Sequence, residues 1–301
     1  MGKEEDAIYL IRMAADMSKR YYDKPFVCTY SGGKDSDVVL ELCKRAGVPF
    51  VVQHSITTVD APQTMRHVRK VFEQCKKEGI SCEYTQPMYK GQKVNMWSLI
   101  PIKGMPPTRM MRYCCEILKE QNAENSVITT GVRWAESRKR ATRNEVESIT
   151  KKASDSIKLD RVMLANDNDA SRDIIDHCRQ KGKVAVNPII SWSDADVWDF
   201  IRGNEIEYNT LYDCGYHRVG CVGCPMAGKR RWKEFADFPG FKEKYIKAFS
   251  EMIDKMRASG KNPRWKTGED VFLWWMEDDN VSGQMSFDDF PEMFPQTLTE
   301  I

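Results

Sequence analysis

The first third of the chain alternates between short apolar runs and stretches in which apolar residues recur at helical spacing. Residues 5–22 carry such helical spacing and predict a helix. Three apolar runs then predict strands, and the helical stretches between them end at glycine, in the order strand 26–30, helix 36–46, strand 49–55, helix 61–79 and strand 80–87. This β-α-β-α-β order predicts an α/β fold with a doubly wound, mostly parallel sheet.

The pattern becomes less regular in the middle of the chain. Residues 126–134 (SVITTGVRW) predict a further strand, and residues 183–190 (KVAVNPII) predict an extended segment. Residues 133–158 are rich in charge and poor in apolar side chains, so we expect an exposed loop there.

A well-signalled helix follows Ser193, a residue type suited to an N-cap, with Asp194 and Asp196 in the first turn and Gly203 past the end. From about residue 228 the chain predicts helices rich in Lys, Phe and Trp, and the last part is acidic and sparse in apolar residues. We therefore expect an α/β domain over residues 1–225 and a helical extension with an acidic tail over residues 226–301.

The composition of the 301 residues limits the function classes without selecting one. A hydrophobic content of 41% suffices for a sizeable core. Lys and Arg number 46 and Asp and Glu 44, so a basic surface for nucleic acid would have to be local. The N-terminus does not resemble a signal peptide, and no apolar run reaches transmembrane length. We expect a soluble, cytoplasmic protein.

The stretch FVCTYSGGKDSDVVL (26–40) places glycines and a lysine where a strand turns into a helix. Gly32 and Gly33 allow positive φ angles and the close approach of a ligand to the backbone. The free N–H groups of the following helix favour an anion, Lys34 adds a positive charge, and Ser31 and Ser36 add hydroxyl donors. A phosphate or pyrophosphate fits this turn, although the spacing is not that of a Walker A loop. A plain Gly-Gly turn with a solvated lysine is the alternative.

Two close pairs of cysteines stand apart from the scattered ones, which we expect to be small buried hydrophobic residues in a reducing cytosol. Cys114 and Cys115 are adjacent, and Cys221 and Cys224 form a C-x-x-C turn. Together they offer four thiolates, the number that a 4Fe–4S cluster needs; a zinc site and the absence of any metal are the alternatives. Cys214 is an extra thiol nearby, for which we favour a buried structural role over a redox or persulfide-carrying one.

The string SGGKDS resembles the pyrophosphatase loop of the adenine nucleotide α-hydrolase-like superfamily, and the chain resembles the phosphoadenosine phosphosulfate (PAPS) reductase family over roughly residues 25–225. This resemblance implies that ATP, adenylyl-sulfate or PAPS binds at the loop, and that ATP would be split to AMP and pyrophosphate. Lys34 and the loop N–H groups would hold the pyrophosphate, with Mg²⁺ bridging the phosphates near Asp35. The implied nucleotide-binding loop comprises Tyr30, Ser31, Gly32, Gly33, Lys34, Asp35 and Ser36.

Two further stretches match the same family. In HSITTVDAP, the resemblance implies that Thr57, Thr58 and Asp60 contact the nucleotide; an ordinary strand-to-helix turn is the alternative. In TGVRWAESRKRA, the family has a segment that closes on the nucleotide anion, and a solvated run of charges is the alternative. The matching residues there are Gly131, Arg133, Glu136, Ser137 and Arg140, and the implied catalytic set is Lys34, Asp35, Arg133 and Arg140.

Iron–sulfur members of the sulfonucleotide reductases use the pattern CC…CxxC, so the resemblance implies a 4Fe–4S cluster on Cys114, Cys115, Cys221 and Cys224. The reductases also carry a nucleophilic cysteine near the C-terminus, whereas this chain has no cysteine after Cys224. In its implied chemistry the chain more closely resembles the DndC-like ATP pyrophosphatases of DNA phosphorothioation. We expect an adenylating enzyme in sulfur transfer or nucleic-acid modification. A reductase that uses an atypical thiol such as Cys214, and a non-catalytic nucleotide-binding subunit, are the alternatives.

An acceptor such as DNA or tRNA would need a local basic surface, and a sulfur-donor protein and further copies of the chain are other expected partners. Basic residues beside tryptophan suit phosphate contacts and base stacking, but Trp232 with Phe235 also fits a core. DVFLWWMED (270–278) predicts a packing helix. The candidate basic residues lie in KRRWK (229–233) and at Arg138, Lys139, Arg140, Arg143, Lys151 and Lys152.

Overall fold

The computed structural model describes residues 2–120, 123, 126–136, 140–150 and 182–277. These residues form two compact units. The first comprises the described residues up to Met96 and those from Tyr113 to Cys221, and the second comprises Trp97–Arg112 and the described residues from Val222 onward. Compactness alone does not show that a unit is a domain, so the division into residues 1–225 and 226–301 stays a prediction.

The first unit contains a six-stranded sheet in the order β3-β2-β1-β6-β8-β7. All neighbouring strands are parallel except β7, which runs antiparallel to β8. The predicted α/β class and mostly parallel sheet are confirmed. The strands are β1 Phe26–Thr29, β2 Phe50–Ser55, β3 Ser81–Thr85, β6 Val127–Thr129, β7 Val146–Thr150 and β8 Gly182–Val186, while β4 Met88–Tyr89 and β5 Gln92–Lys93 form a separate hairpin.

The helices of the first unit begin and end where local chemistry places them. α2 starts after Gly33 and ends at Gly47, which has a positive φ angle of 68°. Ser193 caps its helix by accepting a hydrogen bond from the Asp196 N–H, as predicted. The helices are α1 Lys3–Tyr22, α2 Lys34–Ala46, α3 Pro62–Lys77, α5 Tyr113–Cys115, which continues into a π-helical turn over Glu116–Glu120, and α6 Asp194–Gly203.

The core of the first unit lies where α1, α2 and α6 pack with the sheet. The side chains of Val38 and Leu42 on α2 are fully buried. Those of Phe26 on β1 and Val52 on β2 are fully buried as well. Full burial of such a side chain contributes about 1.5–3 kcal/mol relative to exposure. The core therefore fixes the start of α2 against the end of β1, where the SGGKDS turn lies.

The prediction of an exposed loop over residues 133–158 is confirmed for residues 140–145, which are irregular and partly exposed, and is wrong at two other places in the described part. Val146–Thr150 form the strand β7, and Arg133 is buried. A strand can be rich in charge where it lies at the edge of a sheet, because only one side of it is paired. The strand predicted over residues 126–134 is shorter than expected, since only Val127–Thr129 pair with neighbours. The remaining part of the predicted loop lies outside the described residues.

The second unit is helical and has an aromatic core. Tyr245 packs on Phe235 and Trp275 with ring centroids 5.7 and 4.7 Å apart, and its hydroxyl donates to the carbonyl of Val222 over 3.1 Å. The packing helix predicted around DVFLWWMED is confirmed, because Phe272 and Trp275 are buried. The helices are α4 Met96–Lys103, of which all but the first residue lie in this unit, α7 Arg230–Asp237, α8 Pro239–Ala258 and α9 Gly268–Met276.

None of the helices in the described residues combines the length and the apolar character needed to cross a membrane. The predicted acidic tail lies outside the described residues.

Candidate functional site

The turn between β1 and α2 depends on a glycine with a left-handed backbone. Gly32 has a φ angle of 75°, and a Cβ atom there would lie 2.8 Å from Cγ2 of Val68 and 3.0 Å from Cγ2 of Thr64, both on α3. A side chain at this position would meet both a backbone penalty and a packed helix. Gly32 therefore lets the turn lie directly against α3.

Hydrogen bonds within the turn hold it in one conformation. The Ser36 hydroxyl accepts from the Gly33 N–H over 3.1 Å and donates to the Gly33 carbonyl over 2.7 Å. Ser31 donates to the Ser36 hydroxyl over 3.3 Å. The side-chain amide of Asn209 donates to the Gly32 carbonyl over 3.0 Å. The two serines predicted as ligand donors thus also shape the turn.

Two cations and two carboxylates meet at the first turn of α2. Lys34 Nζ lies 3.2 Å from Asp35 Oδ2 and 3.1 Å from Asp194 Oδ1. Arg133 Nε lies 2.6 Å from Asp35 Oδ1, and its Nη2 lies 2.6 Å from Asp194 Oδ1. Lys34 is 4% exposed and Arg133 is 2% exposed. The structure therefore brings three of the four predicted catalytic residues together at the carboxyl edge of the sheet.

A second glycine makes this meeting possible. A Cβ atom on Gly131 would lie 3.0 Å from the carbonyl carbon and from the Cβ of Asp35, so the segment after β6 runs against the start of α2. Arg133 follows two residues later and also donates from Nη1 to the carbonyl of Trp192 over 3.2 Å. Asp35, Asp194 and the Trp192 carbonyl thus hold the guanidinium in one orientation, so that it is already positioned for an anion.

Arg140 is connected to this group indirectly. Its guanidinium pairs with the Glu136 carboxylate, which also accepts from the backbone N–H of Arg133 over 3.1 Å. A contact between Arg140 and the nucleotide anion stays a prediction. Ser137, Arg138 and Lys139 lie outside the described residues.

A buried network supports the turn from behind. The Tyr30 hydroxyl donates to Asp37 Oδ1 over 2.5 Å, and His67 Nε2 lies 2.9 Å from the same oxygen. Burial raises the pKa of the Asp37 carboxyl, which the hydrogen bonds from His67 and Tyr30 partly offset. Tyr30 therefore acts in the structure as an anchor between the turn, α2 and α3, and its predicted contact with a nucleotide stays a prediction.

The predicted residues after β2 form a compact turn beside Cys221. Thr57 donates to Asp60 Oδ2 over 2.6 Å, and Thr58 has a positive φ angle of 67°. Asp60 and Cys221 form an isolated antiparallel bridge, and the Cys221 sulfur lies 3.9 Å from Thr57 Oγ1. The structure thus joins one candidate metal ligand to the predicted nucleotide-binding turn.

The four paired cysteines are partly buried, and every cysteine in the described part of the chain is a thiol. Cys114, Cys115 and Cys221 belong to the first unit and Cys224 to the second. The Cys221 sulfur, together with Asp60 and Cys115, raises the pKa of Lys119. Among the described residues, no three His, Cys, Asp or Glu side chains are gathered as ligands for one metal ion. The donor chemistry suits a cluster, and the assignment stays a prediction.

Two sequence-based interpretations of single residues are wrong. Cys214 is exposed rather than buried. Trp232 is 52% exposed, so it is not a core partner of Phe235. Within KRRWK, Arg231 is instead the buried residue; it stacks 5.2 Å from the Trp275 ring and donates to the Trp275 carbonyl over 2.8 Å. The other scattered cysteines in the described residues follow the prediction, with Cys28, Cys43 and Cys75 buried and Cys82 partly buried.

A parallel sheet with a glycine turn and buried cations at its carboxyl edge is the arrangement of an α/β nucleotide-binding protein. The chain belongs to the phosphoadenosine phosphosulfate reductase domain family, whose model matches residues 25–227. This is a family of nucleotide-binding enzymes.

Individual proteins resemble the chain more distantly. It is 26% identical over 263 residues to an uncharacterized protein of Methanocaldococcus jannaschii, covering 84% of this chain and 46% of that protein. It is 38% identical over 52 residues to an adenosine 5'-phosphosulfate reductase of Oceanobacillus iheyensis, covering 17% of this chain and 22% of that enzyme. The crystal structure of the PAPS reductase of Candida auris is 19% identical, with a TM-score of 0.45 over 72% of this chain and 88% of that chain. The match covers about half the length of the M. jannaschii protein and 22% of the length of the O. iheyensis enzyme.

Sequence reasoning missed three residues that contact the turn: Asp194, Asn209 and Tyr212. Tyr212 accepts a hydrogen bond from the Lys34 backbone N–H over 3.0 Å, and Asp194 pairs with both cations. The sequence indicates Asp194 only as an acidic residue in the first turn of a helix. Nothing in the sequence places Asn209 or Tyr212 near a turn more than 170 positions away.

Proposed function

We propose that the protein binds ATP at the SGGKDS turn and splits it to AMP and pyrophosphate, adenylating an acceptor in sulfur transfer or nucleic-acid modification. The observation that carries this proposal is the buried pair of Lys34 and Arg133 at the first turn of α2, beside a glycine turn. Buried cations at a helix N-terminus suit a polyphosphate, because they stabilise negative charge from positions that are already fixed.

The chemistry is a displacement at the α-phosphorus of ATP. An acceptor oxygen forms the new bond to that phosphorus, and the bond to the bridging oxygen of the β-phosphate breaks, so that pyrophosphate leaves with the electron pair. Lys34 and the turn hold the departing pyrophosphate, and Arg133 stabilises charge on the phosphate oxygens. Asp35 is the carboxylate at this turn that suits Mg²⁺. A sulfide-level sulfur nucleophile then displaces AMP from the acceptor.

We further propose that Cys114, Cys115, Cys221 and Cys224 hold a 4Fe–4S cluster. The proposal is supported by four paired thiols, by the family pattern and by the Lys119 ammonium beside Cys221, a cation that favours thiolate sulfur. Such a cluster would supply either electron transfer or a site for sulfur. The chain contributes four thiols that are partly shielded from water.

A nucleic-acid acceptor would suit the exposed part of KRRWK on the second unit. Trp232 is half exposed, and Lys229, Arg230 and Lys233 surround it in sequence. Lys233 forms an ion pair with Asp237, which leaves Lys229 and Arg230 as the better candidates for phosphate contacts. An exposed indole among cations is the combination that single-stranded nucleic acid uses for stacking and charge neutralisation.

The exposure of Cys214 favours a second candidate function, the reduction of a sulfonucleotide. In that reaction the thiolate attacks the sulfate sulfur, and the nucleotide leaves as AMP from adenylyl-sulfate or as adenosine 3',5'-bisphosphate from PAPS. A dithiol reductant then releases sulfite from the cysteine thiosulfonate and is itself oxidised to a disulfide. A Cys214→Ser variant that still produces sulfite at the wild-type rate would exclude this route.

Product analysis separates the two functions. Anaerobically purified protein is incubated with Mg²⁺ and ATP in one series, and with adenylyl-sulfate or PAPS plus a dithiol in the other. Total tRNA and sheared DNA are supplied as acceptors in the ATP series. We expect AMP and pyrophosphate from ATP and no sulfite from the sulfonucleotides. Sulfite without AMP from ATP would replace the proposed function with the second one.

A further inference from the structure

The donors that a phosphate would use at the SGGKDS turn are occupied by oxygen atoms of the protein itself. The backbone N–H of Lys34 donates to the Tyr212 hydroxyl over 3.0 Å, and the Lys34 ammonium lies 3.1 Å from Asp194 Oδ1. The same Asp194 oxygen accepts from Arg133 Nη2 over 2.6 Å. A single carboxylate oxygen thus bridges both buried cations, as an oxygen of a phosphate would.

The two carboxylates at the site differ in how firmly they are held. The Asp35 side chain is 21% exposed and lies in the first turn of α2 next to Lys34, whereas the Asp194 side chain is 66% exposed. Lys34 and Arg133 are themselves buried and fixed by Asp35. Asp194 can therefore turn into water without leaving its own charge buried, while the cations cannot follow it.

The charges balance only while Asp194 is present. With Asp35 and Asp194 ionised, the group of two cations and two carboxylates is neutral. When Asp194 leaves, one positive charge remains, which suits an incoming anion. Partial burial by itself raises the pKa of Asp194, but the hydrogen bonds from Arg133 and Lys34 outweigh that effect and lower the pKa. The carboxylate is thus an ionised competitor for the site.

Asp194 and Tyr212 are connected through α6. Trp198, one turn after Asp194 on this helix, packs edge-on against the Tyr212 ring with centroids 5.2 Å apart. The Tyr212 hydroxyl lies near the position that a Cβ of Gly33 would take, at 3.4 Å. Helix α6 therefore places the Asp194 carboxylate on the side chains of Lys34 and Arg133. The segment after α6 places the Tyr212 hydroxyl on the backbone N–H of Lys34.

We infer that Asp194, assisted by Tyr212, is an internal phosphate mimic that a nucleotide must displace, and that it sets the affinity of the site for polyphosphate. This inference rests on the proposed function only in taking the turn as the polyphosphate site. When the binding-competent form is a fraction of the population, the apparent affinity falls by that fraction. The chain thereby discriminates in favour of ligands with enough charge to replace a carboxylate on two cations.

Calorimetric titration of the anaerobically purified 301-residue chain with inorganic pyrophosphate at constant ionic strength tests the inference without any turnover. Asp194→Asn keeps the shape of the side chain and removes its charge, and we expect about tenfold tighter binding. Asp199→Asn removes the same charge from the same helix and should bind within about twofold of wild type. Asp199 contacts Arg202 over 3.9 Å on the helix surface.

Tyr212 has an equally close control. Tyr212→Phe frees the Lys34 N–H and should tighten binding about threefold, the effect of one neutral hydrogen bond. Tyr208→Phe should have no effect, because Tyr208 also packs on Trp198 but directs its hydroxyl to Asp213.

The outcomes separate this inference from the proposed function. If wild type binds pyrophosphate and Asp194→Asn binds it equally or more weakly, the inference is overturned and the polyphosphate site stays in place. A loss of affinity in Tyr212→Phe would make Tyr212 a ligand contact and overturn its part. If none of the five proteins binds pyrophosphate, both the inference and the proposed site are wrong. Binding by Asp194→Asn alone supports both.

Discussion

The Nε atom of Arg133 donates to Oδ1 of Asp35 over 2.6 Å, although 98 positions separate the two residues in the sequence. Strands β1 and β6 are parallel neighbours in the sheet, so the segments that follow them meet at the same edge. One segment brings the glycine turn and Lys34, and the other brings Gly131 and Arg133. The contact shows how a parallel sheet brings distant parts of the chain together at the turn that we propose as the polyphosphate site.

Replacing Gly32 by alanine should destabilise the first unit strongly. The new Cβ would combine a positive φ angle with a 2.8 Å approach to Val68, so we expect a loss of about 2–4 kcal/mol in the free energy of unfolding, measured in urea. Gly47→Ala is the matched control, because Gly47 has a similar φ angle of 68° but no atom within 4 Å of the added Cβ. It should cost only about 1 kcal/mol. Equal losses in the two variants would contradict the close packing of the turn on α3.

Trp232→Ala should weaken the binding of single-stranded oligonucleotides and leave the fold intact. Stacking of one base on an aromatic ring is worth about 1–3 kcal/mol, so we expect an affinity loss of about tenfold in fluorescence anisotropy. Leu273→Ala removes another exposed apolar side chain from the second unit and serves as the control. If the two variants bind equally well, Trp232 is not a stacking residue.

Asp196→Asn should change the response of stability to acid. Hydrogen bonds from Lys3 and Ser193 lower the pKa of Asp196 to about 2. Because the folded-state pKa lies below the unfolded one, its contribution is present above about pH 4 and is lost as the pH falls toward about 2. Melting temperatures should therefore differ between wild type and variant at pH 6 and converge near pH 2.

The control for this pH dependence is Asp199→Asn, for which a constant difference from wild type is expected. A difference for Asp196→Asn that does not change between pH 6 and pH 2 would show that the cap does not depend on ionisation.

Iron analysis tests the proposed cluster independently of activity. The protein purified without oxygen should hold about four irons and as many acid-labile sulfides. Cys114→Ser or Cys221→Ser should lower both contents sharply, whereas Cys214→Ser, which removes an exposed thiol outside the proposed ligand set, should leave them unchanged. Zinc in place of iron, or no metal in the wild type, would refute the cluster.

The parts of the site that are local in sequence could be predicted, and the parts that depend on tertiary contacts could not. The turn at Gly32 and Gly33 is encoded by neighbouring residues, so its position before α2 follows from the pattern. The family resemblance identifies Arg133 as a site residue. It does not predict that Arg133 is buried, because a segment rich in charge predicts solvent exposure. Asp194 and Tyr212 reach the turn only once α6 packs beside α2, and no local signal describes that packing.

The lack of local signals for tertiary packing also explains why the sequence does not predict which side chains of KRRWK and its neighbours are exposed. Helical spacing puts Trp232 and Phe235 on adjoining positions of one face, and the sequence does not show which of them faces the aromatic core. The structure buries Phe235 and Arg231 and leaves Trp232 half exposed. Arg231 is tolerated there because the Trp275 ring and carbonyl replace the water around its guanidinium.

The most direct test of the account is the yield of pyrophosphate from ATP in wild type and Lys34→Ala. In this variant Asp35 and Asp194 keep Arg133 as a partner, so the fold should persist, which a melting curve verifies. Lys44→Ala, at the far end of α2 and paired with Glu78, is the control. We predict that wild type and Lys44→Ala release pyrophosphate in the same yield, each with one AMP per pyrophosphate. In Lys34→Ala the yield of pyrophosphate should fall at least about a hundredfold. Undiminished pyrophosphate release by folded Lys34→Ala would contradict the assignment of the turn as the pyrophosphate site.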